Sequence, residues 1–203
     1  MVQTGFGQRR CDTGTPGWGN SLGTVSFATD QTWIVGNQIW SDAVQASNCS
    51  EKTTYEGGFS FFEGNRFSGN YKSDCRSNPG QKGDLFSWCA VARFKEILCP
   101  APWRVPTRED FEALDIALGG TGDDDFQRDT NLVNLYLNRW GGTFSGVHMR
   151  DNLTGQGSTA RYWSLSETDA HLAFHLFLSS TGVNSQMSGH KHFALSLRCV
   201  RDI

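Results

Sequence analysis

Apolar and polar residues alternate in two parts of the chain with the period of two that is typical of a half-buried β-strand. In the sequence TWIVGNQIW, two aromatic and β-branched runs stand on either side of Gly36-Asn37, which predicts a β-hairpin with a two-residue turn. The second alternating stretch is HLAFHLFLS, residues 171–179. Residues 192–199 repeat the pattern, which places Leu195, Leu197 and Cys199 on one side of a strand and Arg198 on the other. Strands are therefore expected both early and late in the chain.

A spacing of three to four residues between apolar positions predicts three helices in the middle of the chain. Asp84 is the expected cap of a first helix over residues 85–98. A second helix begins after Thr107, where Asp110 stands at the position that completes a capping box, and a third spans 132–140. The expected buried face of the second helix comprises Phe111, Leu114 and Leu118.

Two long stretches show neither period. Residues 1–23 are rich in Gly, Thr and Pro and predict a loosely structured lead-in. Residues 47–83 contain mainly Ser, Asn, Gly and Lys and predict a long loop region. Because 203 residues are enough to bury one substantial core, we expect one main domain over residues 24–203, with 24–83 as a hairpin and loop extension.

The composition narrows the class of protein. Only 19% of the residues are charged and 23 are glycine, which favours short strands and turns over an all-helical bundle. The net charge is −3 and the basic residues are scattered, so neither nucleic acid nor an anionic membrane surface is an expected partner. No apolar run approaches the roughly 20 residues that a membrane span requires. Partners are therefore expected to be recognised by shape and local chemistry.

Six cysteines form an even, widely spaced set without a C-x-x-C metal motif. Disulfides are the favoured interpretation, and they indicate an oxidising compartment outside the cytosol. Cys49 and Cys75 are candidates to fasten the long loop. The alternative, that some cysteines are small buried apolar residues, applies best to Cys89.

Three blocks of sequence carry a resemblance to a known family. CPAPWRVPTREDFEAL, RYWSLSE and LSLRCVRD together resemble the Fibrobacter-type major paralogous domain family, a C-type-lectin-like group, over residues 84–203. The resemblance implies an α+β C-type-lectin-like fold, with small antiparallel sheets, two or three flanking helices and long loops. It also implies a disulfide between Cys99 and Cys199, and core positions for Trp103 and Trp163.

Within this fold, the sequence also resembles the variable proteins of diversity-generating retroelements. In those proteins a scaffold similar to YWS-x-SE precedes a segment whose outward positions vary, and LRCVR follows. The resemblance implies that residues 161–199 form a ligand-binding segment. Its implied contact residues are the outward positions His171, His175, Phe177, Ser179, Ser188, His190, His192 and Phe193. Simple alternation places Phe193 inward instead.

Metal-dependent sites are alternatives to this ligand-binding segment. The chain lacks the Glu-Pro-Asn or Gln-Pro-Asp and Trp-Asn-Asp motifs of calcium-dependent lectins, so calcium-mediated sugar binding is not expected. The two histidine pairs offer ligands for Zn or Cu only if they converge. Asp123 and Asp125 offer oxygen ligands for a hard cation, but their spacing is not that of an EF-hand.

No catalytic motif stands out. The sequence contains no nucleophile elbow, H-E-x-x-H pair, phosphate loop or dinucleotide fingerprint, so we expect neither an enzyme nor a cofactor. The resemblances imply a secreted or surface-displayed protein that binds a protein or a cell-surface glycan. The alternatives are a structural subunit of a bacterial surface appendage and, third, a metal-dependent enzyme.

Overall fold

Strands dominate the structure, a computed structural model that describes residues 22–47, 75–149, 152–169 and 171–203. The strands are β1 (Val25–Phe27), β2 (Thr32–Val35), β3 (Gln38–Ala46), β4 (Cys75–Arg76), β5 (Leu85–Ser87), β6 (Ser145–Met149), β7 (Asn152–Gln156), β8 (Thr159–Glu167), β9 (Leu172–Ser179), β10 (Gly182–His190), β11 (Ala194–Leu195) and β12 (Arg198–Asp202). The helices are α1 (Trp88–Arg93), α2 (Lys95–Leu98), α3 (Arg108–Leu118) and α4 (Thr130–Arg139). The fold is thus mixed α+β. The predicted lead-in lies outside the described residues except at its end, and so does most of the predicted long loop.

The smaller sheet joins the two ends of the domain. The predicted hairpin is confirmed as β2 and β3, which pair from Val35 and Gln38 outward across the two-residue turn. Strand β3 also pairs with β1 and, antiparallel, with the last strand, β12. The strands of the early hairpin and the last strand of the chain therefore lie in one sheet.

The larger sheet carries the segment that resembles a variable region. Its strand order is β10-β9-β8-β6-β11-β5-β4, and β7 pairs with β6. The pairing of β8 with β9 and of β9 with β10 is antiparallel, with a register shift in each pair. Because strands β8 and β9 supply residues to two separate apolar cores, both faces of the sheet are covered along part of their length.

The first predicted helix begins later than expected. Residues Leu85–Ser87 form strand β5, and the Ser87 hydroxyl caps α1 by accepting a hydrogen bond from the Ala90 amide. The Asp84 carboxylate instead accepts a hydrogen bond from the Ala46 amide, at 2.8 Å. The Asp84 side chain, which the local sequence assigns to a helix cap, is thus bonded to a residue 38 positions earlier in the chain.

The second helix, α3, is confirmed as predicted. The Thr107 side chain and the Asp110 side chain form the expected capping box, and Gly119 ends the helix with φ of 97°. The predicted face of Phe111, Leu114 and Leu118 is buried. The third helix is also confirmed; it begins at Thr130, two residues before the predicted start, and Asp129 caps it.

The disulfide implied by the family resemblance is present. Cys99 and Cys199 are bonded, with their Cα atoms 5.6 Å apart and 100 residues between them in sequence. Cys75 and Cys89 are also disulfide-bonded, so the expectation of a free Cys89 is wrong. Because Cys49 lies outside the described residues, its pairing with Cys75 stays a prediction.

Alternation failed for the last strand. It placed Arg198 on an outer face, but the Arg198 side chain is fully buried between the rings of Trp33 and Trp140, at 4.4 and 4.3 Å from their centroids. Trp33 on β2 and Trp140 at the C-terminal end of α4 cover the side chain that the pattern left exposed. Of the implied core aromatics, Trp163 is fully buried and Trp103 is half-buried.

No helix in the described ranges has both the length and the apolar character needed to cross a membrane.

We expect the double variant Cys99→Ser/Cys199→Ser to lose about 4 kcal/mol of unfolding free energy, because the disulfide closes a long loop in the unfolded chain. Urea denaturation followed by tryptophan fluorescence would measure the loss. A loss of less than about 1 kcal/mol would mean that the bond contributes little to holding the last strand in place.

Candidate functional site

The eight implied contact residues do not share one outward face. His175 is 0% exposed and Ser179 is 7% exposed, so both are wrong as surface contacts. The other six keep at least part of their surface exposed: His171, Phe177, Ser188, His190, His192 and Phe193. The alternation pattern gave a wrong prediction here because apolar cores cover both faces of β9. Only separate parts of the β9–β10 hairpin therefore remain exposed.

Ser179 shapes the turn between β9 and β10. Its hydroxyl donates a hydrogen bond to the Gly182 carbonyl at 2.9 Å and accepts one from the Gly182 amide at 3.1 Å. The side chain therefore satisfies backbone groups in the turn, which is a local structural role.

His175 packs inside the sheet without polar partners. Its ring lies edge-on to Trp163, with centroids 5.6 Å apart, and a Cβ on Gly189 would stand 2.8 Å from its Cε1 atom. Neither ring nitrogen makes a hydrogen bond of normal geometry. Burial, assisted by the charge of Arg161, lowers the pKa of His175 from 6.5 to about 3, and the nearby backbone of Ala173 opposes this shift. The imidazole is therefore neutral at ordinary pH.

His171, His190 and His192 lie at the end of the β9–β10 hairpin that is opposite its turn. The rings of His190, His192 and Phe193 are mutually in contact, with centroid distances between 4.7 and 5.4 Å. Burial lowers the pKa of His190, the charge of His171 lowers it further, and Asp169 opposes both effects. His171 therefore lies near this group, whereas His175 does not join it. In the part of the chain that the structure describes, no three His, Cys, Asp or Glu side chains are arranged to hold a metal ion.

Near the turn of the β9–β10 hairpin, two aromatic side chains lie between two arginine side chains. The rings of Phe126 and Phe177 lie 6.0 Å apart. The Arg161 guanidinium stands over Phe177 at 5.1 Å, and the Arg128 guanidinium stands over Phe126 at 5.7 Å. These four residues, Arg128, Phe126, Phe177 and Arg161, are called the aromatic–arginine row below.

Sheet register sets the order of the row. Arg161 on β8 is directly opposite Phe177 on β9, and Phe177 is opposite Asn184 on β10. The segment after α3 extends the sheet beyond β10 through a bridge between Gln127 and Val183. Because side chains alternate along a strand, the neighbours of Gln127 point to the face that carries Phe177.

Two sets of hydrogen bonds hold that extending segment in place. The buried Asp115 carboxylate accepts bonds from the Tyr136 hydroxyl at 2.7 Å, Gln127 Nε2 at 2.8 Å and the Gly122 amide at 2.9 Å. Along β10, the amide side chains of Asn184 and Gln186 donate to the carbonyls of Asp124 and Gly122, and Ser185 donates to that of Asp123. The aspartate-rich loop, in which Asp123 and Asp125 were a weak alternative for binding a cation, thus uses main-chain carbonyls to pack against the sheet.

The row remains open to solvent and carries charge. Phe126 and Met187 are each 36% exposed, and Phe177 and Arg161 are half-buried. Burial lowers the pKa of Arg161, and its Nε atom is buried without a hydrogen-bond partner. An arginine stays protonated under such a shift. The site is therefore an exposed pair of rings between two positive charges.

Sequence reasoning found Phe177 and missed the other three members of the row. The sequence could have indicated Arg161, because it lies two residues before the buried Trp163 and therefore on the same face of the strand. Phe126 and Arg128 lie in a segment without periodic pattern, and only tertiary pairing brings them to β10.

The geometry defines a mixed α+β domain in which the first and last strands both pair with β3 and a partly exposed row crosses the β8–β10 face. The chain belongs to the Fibrobacter succinogenes major domain family, whose family model matches residues 28–201. No curated protein and no solved structure matches the chain.

We expect His175→Leu to raise the unfolding free energy at neutral pH by about 1–2 kcal/mol, because it removes two buried nitrogens that lack partners. The sign of the pH effect follows from the lowered pKa. Below pH 6.5 the unfolded chain binds a proton at His175, while the folded chain does so only near pH 3. This group therefore destabilises the wild type by about 1.4 kcal/mol for each pH unit of acidification in that window.

Urea denaturation between pH 7 and pH 4 would measure both effects. The apolar control Phe174→Leu, on the same strand, should keep the wild-type pH dependence. An unchanged pH dependence in His175→Leu would contradict the assignment of a neutral buried imidazole.

Proposed function

We propose that this protein is a recognition protein rather than an enzyme, and that it binds its ligand through the aromatic–arginine row and the exposed side chains beside it. The main support is the partly exposed contact between the tilted rings of Phe126 and Phe177, with a guanidinium over each ring. Folding alone does not require rings at solvent-facing strand positions. Aromatic and arginine side chains dominate the binding energy at protein interfaces, because they provide large contact area in defined geometries.

The scaffold that we propose is C-type-lectin-like. The sequence blocks that resemble this group fall on the capped helix α3, on β8 and on β12. Two further features support it: β12 pairs with β3, and Cys99–Cys199 ties the segment before α3 to the last strand. Such a frame holds a binding surface in place while leaving its exposed positions open to change.

Diversification of the surface is part of the proposal. The β8–β10 region resembles the variable segment of retroelement-diversified proteins, and here it contains both buried positions and positions that reach solvent. Leu176 and Leu178 lie in the core, whereas Phe177 and Ser188 reach solvent. Substitution at the exposed positions would alter ligand contacts with little effect on the core.

We propose an extracellular or bacterial cell-surface location and a protein or cell-surface glycan as ligand. The disulfide-bonded states of Cys99, Cys199, Cys75 and Cys89 support an oxidising compartment.

Sequencing the 3′ end of the gene across sibling cells would test diversification. We expect substitutions at exposed positions such as Phe177, Ser188 and His192, because these changes leave packing intact. Leu176 and Leu178 should stay fixed and serve as internal controls. A segment identical in all siblings would contradict diversification and favour the structural-subunit alternative.

A further inference from the structure

We infer that the ligand of the aromatic–arginine row is a protein surface that presents an isolated carboxylate beside an apolar side chain, and that Arg161 binds the carboxylate. This inference rests on the proposed recognition function and adds the chemistry of the partner. It is carried by the charge state of the row, by the exposure of its rings and by the acidic loop next to it.

Arg161 is a cation without an anion. In the described parts of the chain, no carboxylate lies within ion-pair distance of its guanidinium and no hydrogen bond reaches it. Arg104 is different, because it is paired with Asp110 and Asp202. The Nε atom of Arg161 is buried, so the terminal nitrogens are the part of the guanidinium that a ligand can reach.

A carboxylate fits this guanidinium better than a neutral group. Terminal arginine nitrogens form a planar pair of donors that matches a carboxylate, and such charge-assisted bonds are stronger than neutral ones. Phe177 beneath the guanidinium keeps water from one side of it, which strengthens the attraction to an anion. The ligand carboxylate would therefore form an ion pair with a guanidinium that has already lost part of its hydration through partial burial.

The exposed rings and thioether supply the apolar part of the site. Phe126 leaves 36% of its surface exposed and Phe177 is half-buried beside it. Met187 on β10, also 36% exposed, is opposite His175, two residues before Phe177 on β9. Aromatic residues, methionine and arginine are enriched at protein interfaces relative to the rest of protein surfaces. The combination fits a protein partner with an acidic side chain next to an apolar one.

The neighbouring acidic loop argues against a polyanion. Asp123, Asp124 and Asp125 are exposed, and the carbonyl of Asp124 is bonded to Asn184, the residue opposite Phe177. A densely sulfated or uronic-acid-rich glycan that reached Arg161 would also meet these like charges. A single carboxylate avoids that repulsion.

Phage-displayed random peptides, selected in parallel on the wild type and on Phe177→Ser, provide the probe. We expect the peptides that bind only the wild type to be enriched in Asp or Glu beside apolar residues. A selected peptide and its Asn or Gln counterpart would then be compared by calorimetry on the wild type, on Arg161→Gln and on Arg139→Gln. Arg139 is an exposed arginine at the end of α4 and serves as the matched control.

The expected result is a loss of about tenfold or more in affinity for the acidic peptide on Arg161→Gln, with no loss on Arg139→Gln. The amide counterpart should bind the wild type more weakly and be insensitive to Arg161→Gln. If Arg161→Gln does not fold, the same comparison is made on the wild type by salt: rising NaCl should weaken the acidic peptide and spare its amide counterpart.

The possible failures are distinguishable. Peptides that depend on Phe177 but lack acidic residues, or that ignore Arg161→Gln, would overturn this inference and leave the recognition function standing. Peptides that bind the wild type and Phe177→Ser equally would count against the recognition surface itself. Retention on heparin at about 150 mM NaCl that Arg161→Gln abolishes would point to a polyanionic glycan and overturn the protein assignment.

Discussion

The burial of the Arg198 guanidinium is the constraint on which the rest of the structure depends. A charged group can leave water only where other groups replace its hydration, and Arg198 does so between the faces of Trp33 and Trp140. Its Nε and Nη1 atoms donate to the carbonyls of Ser41 and Trp140, whereas its buried Nη2 atom has no hydrogen-bond partner among the described residues. Burial lowers the pKa of Arg198 to about 10. These partners come from β2, β3 and the end of α4, so one side chain fixes three elements relative to the last strand. The adjacent Cys199 adds the covalent bond to Cys99, which secures the same strand from its other side.

The same packing reaches the candidate site through aromatic contacts. Trp140 lies 4.9 Å from Tyr162, the residue next to Arg161 on β8. On the other side, the Tyr136 hydroxyl is bonded to Asp115, whose carboxylate also holds Gln127 between Phe126 and Arg128. Both ends of the aromatic–arginine row are therefore attached to the core that surrounds Trp140. A surface held at both ends in this way loses little entropy on binding, which is the physical benefit of preorganisation.

The sequence was sufficient where the decisive interactions are local. Thr107 and Asp110 form their capping box within one turn, and the hairpin around Gly36-Asn37 needs only its own residues, so both predictions are confirmed. The sequence was insufficient where a group distant in the chain contacts the side chain in question. Asp84 bonds to Ala46 instead of capping a helix, and His175 and Arg198 are buried because elements far away in sequence cover their strand faces. Alternation reports which residues share a face, but it does not report whether a second layer covers the other face.

His175 connects stability to recognition. An imidazole with two unpartnered nitrogens costs stability, and no bond in the described residues repays that cost locally. The disulfide and the Arg198 packing provide stability elsewhere in the fold, which allows a costly side chain to persist in β9 without unfolding the domain. The His175 ring occupies the space beside Gly189 on β10 and lies two residues before Phe177 on β9. Recognition on this face therefore depends on a frame that is stable enough to tolerate an unfavourable side chain two residues from the binding surface.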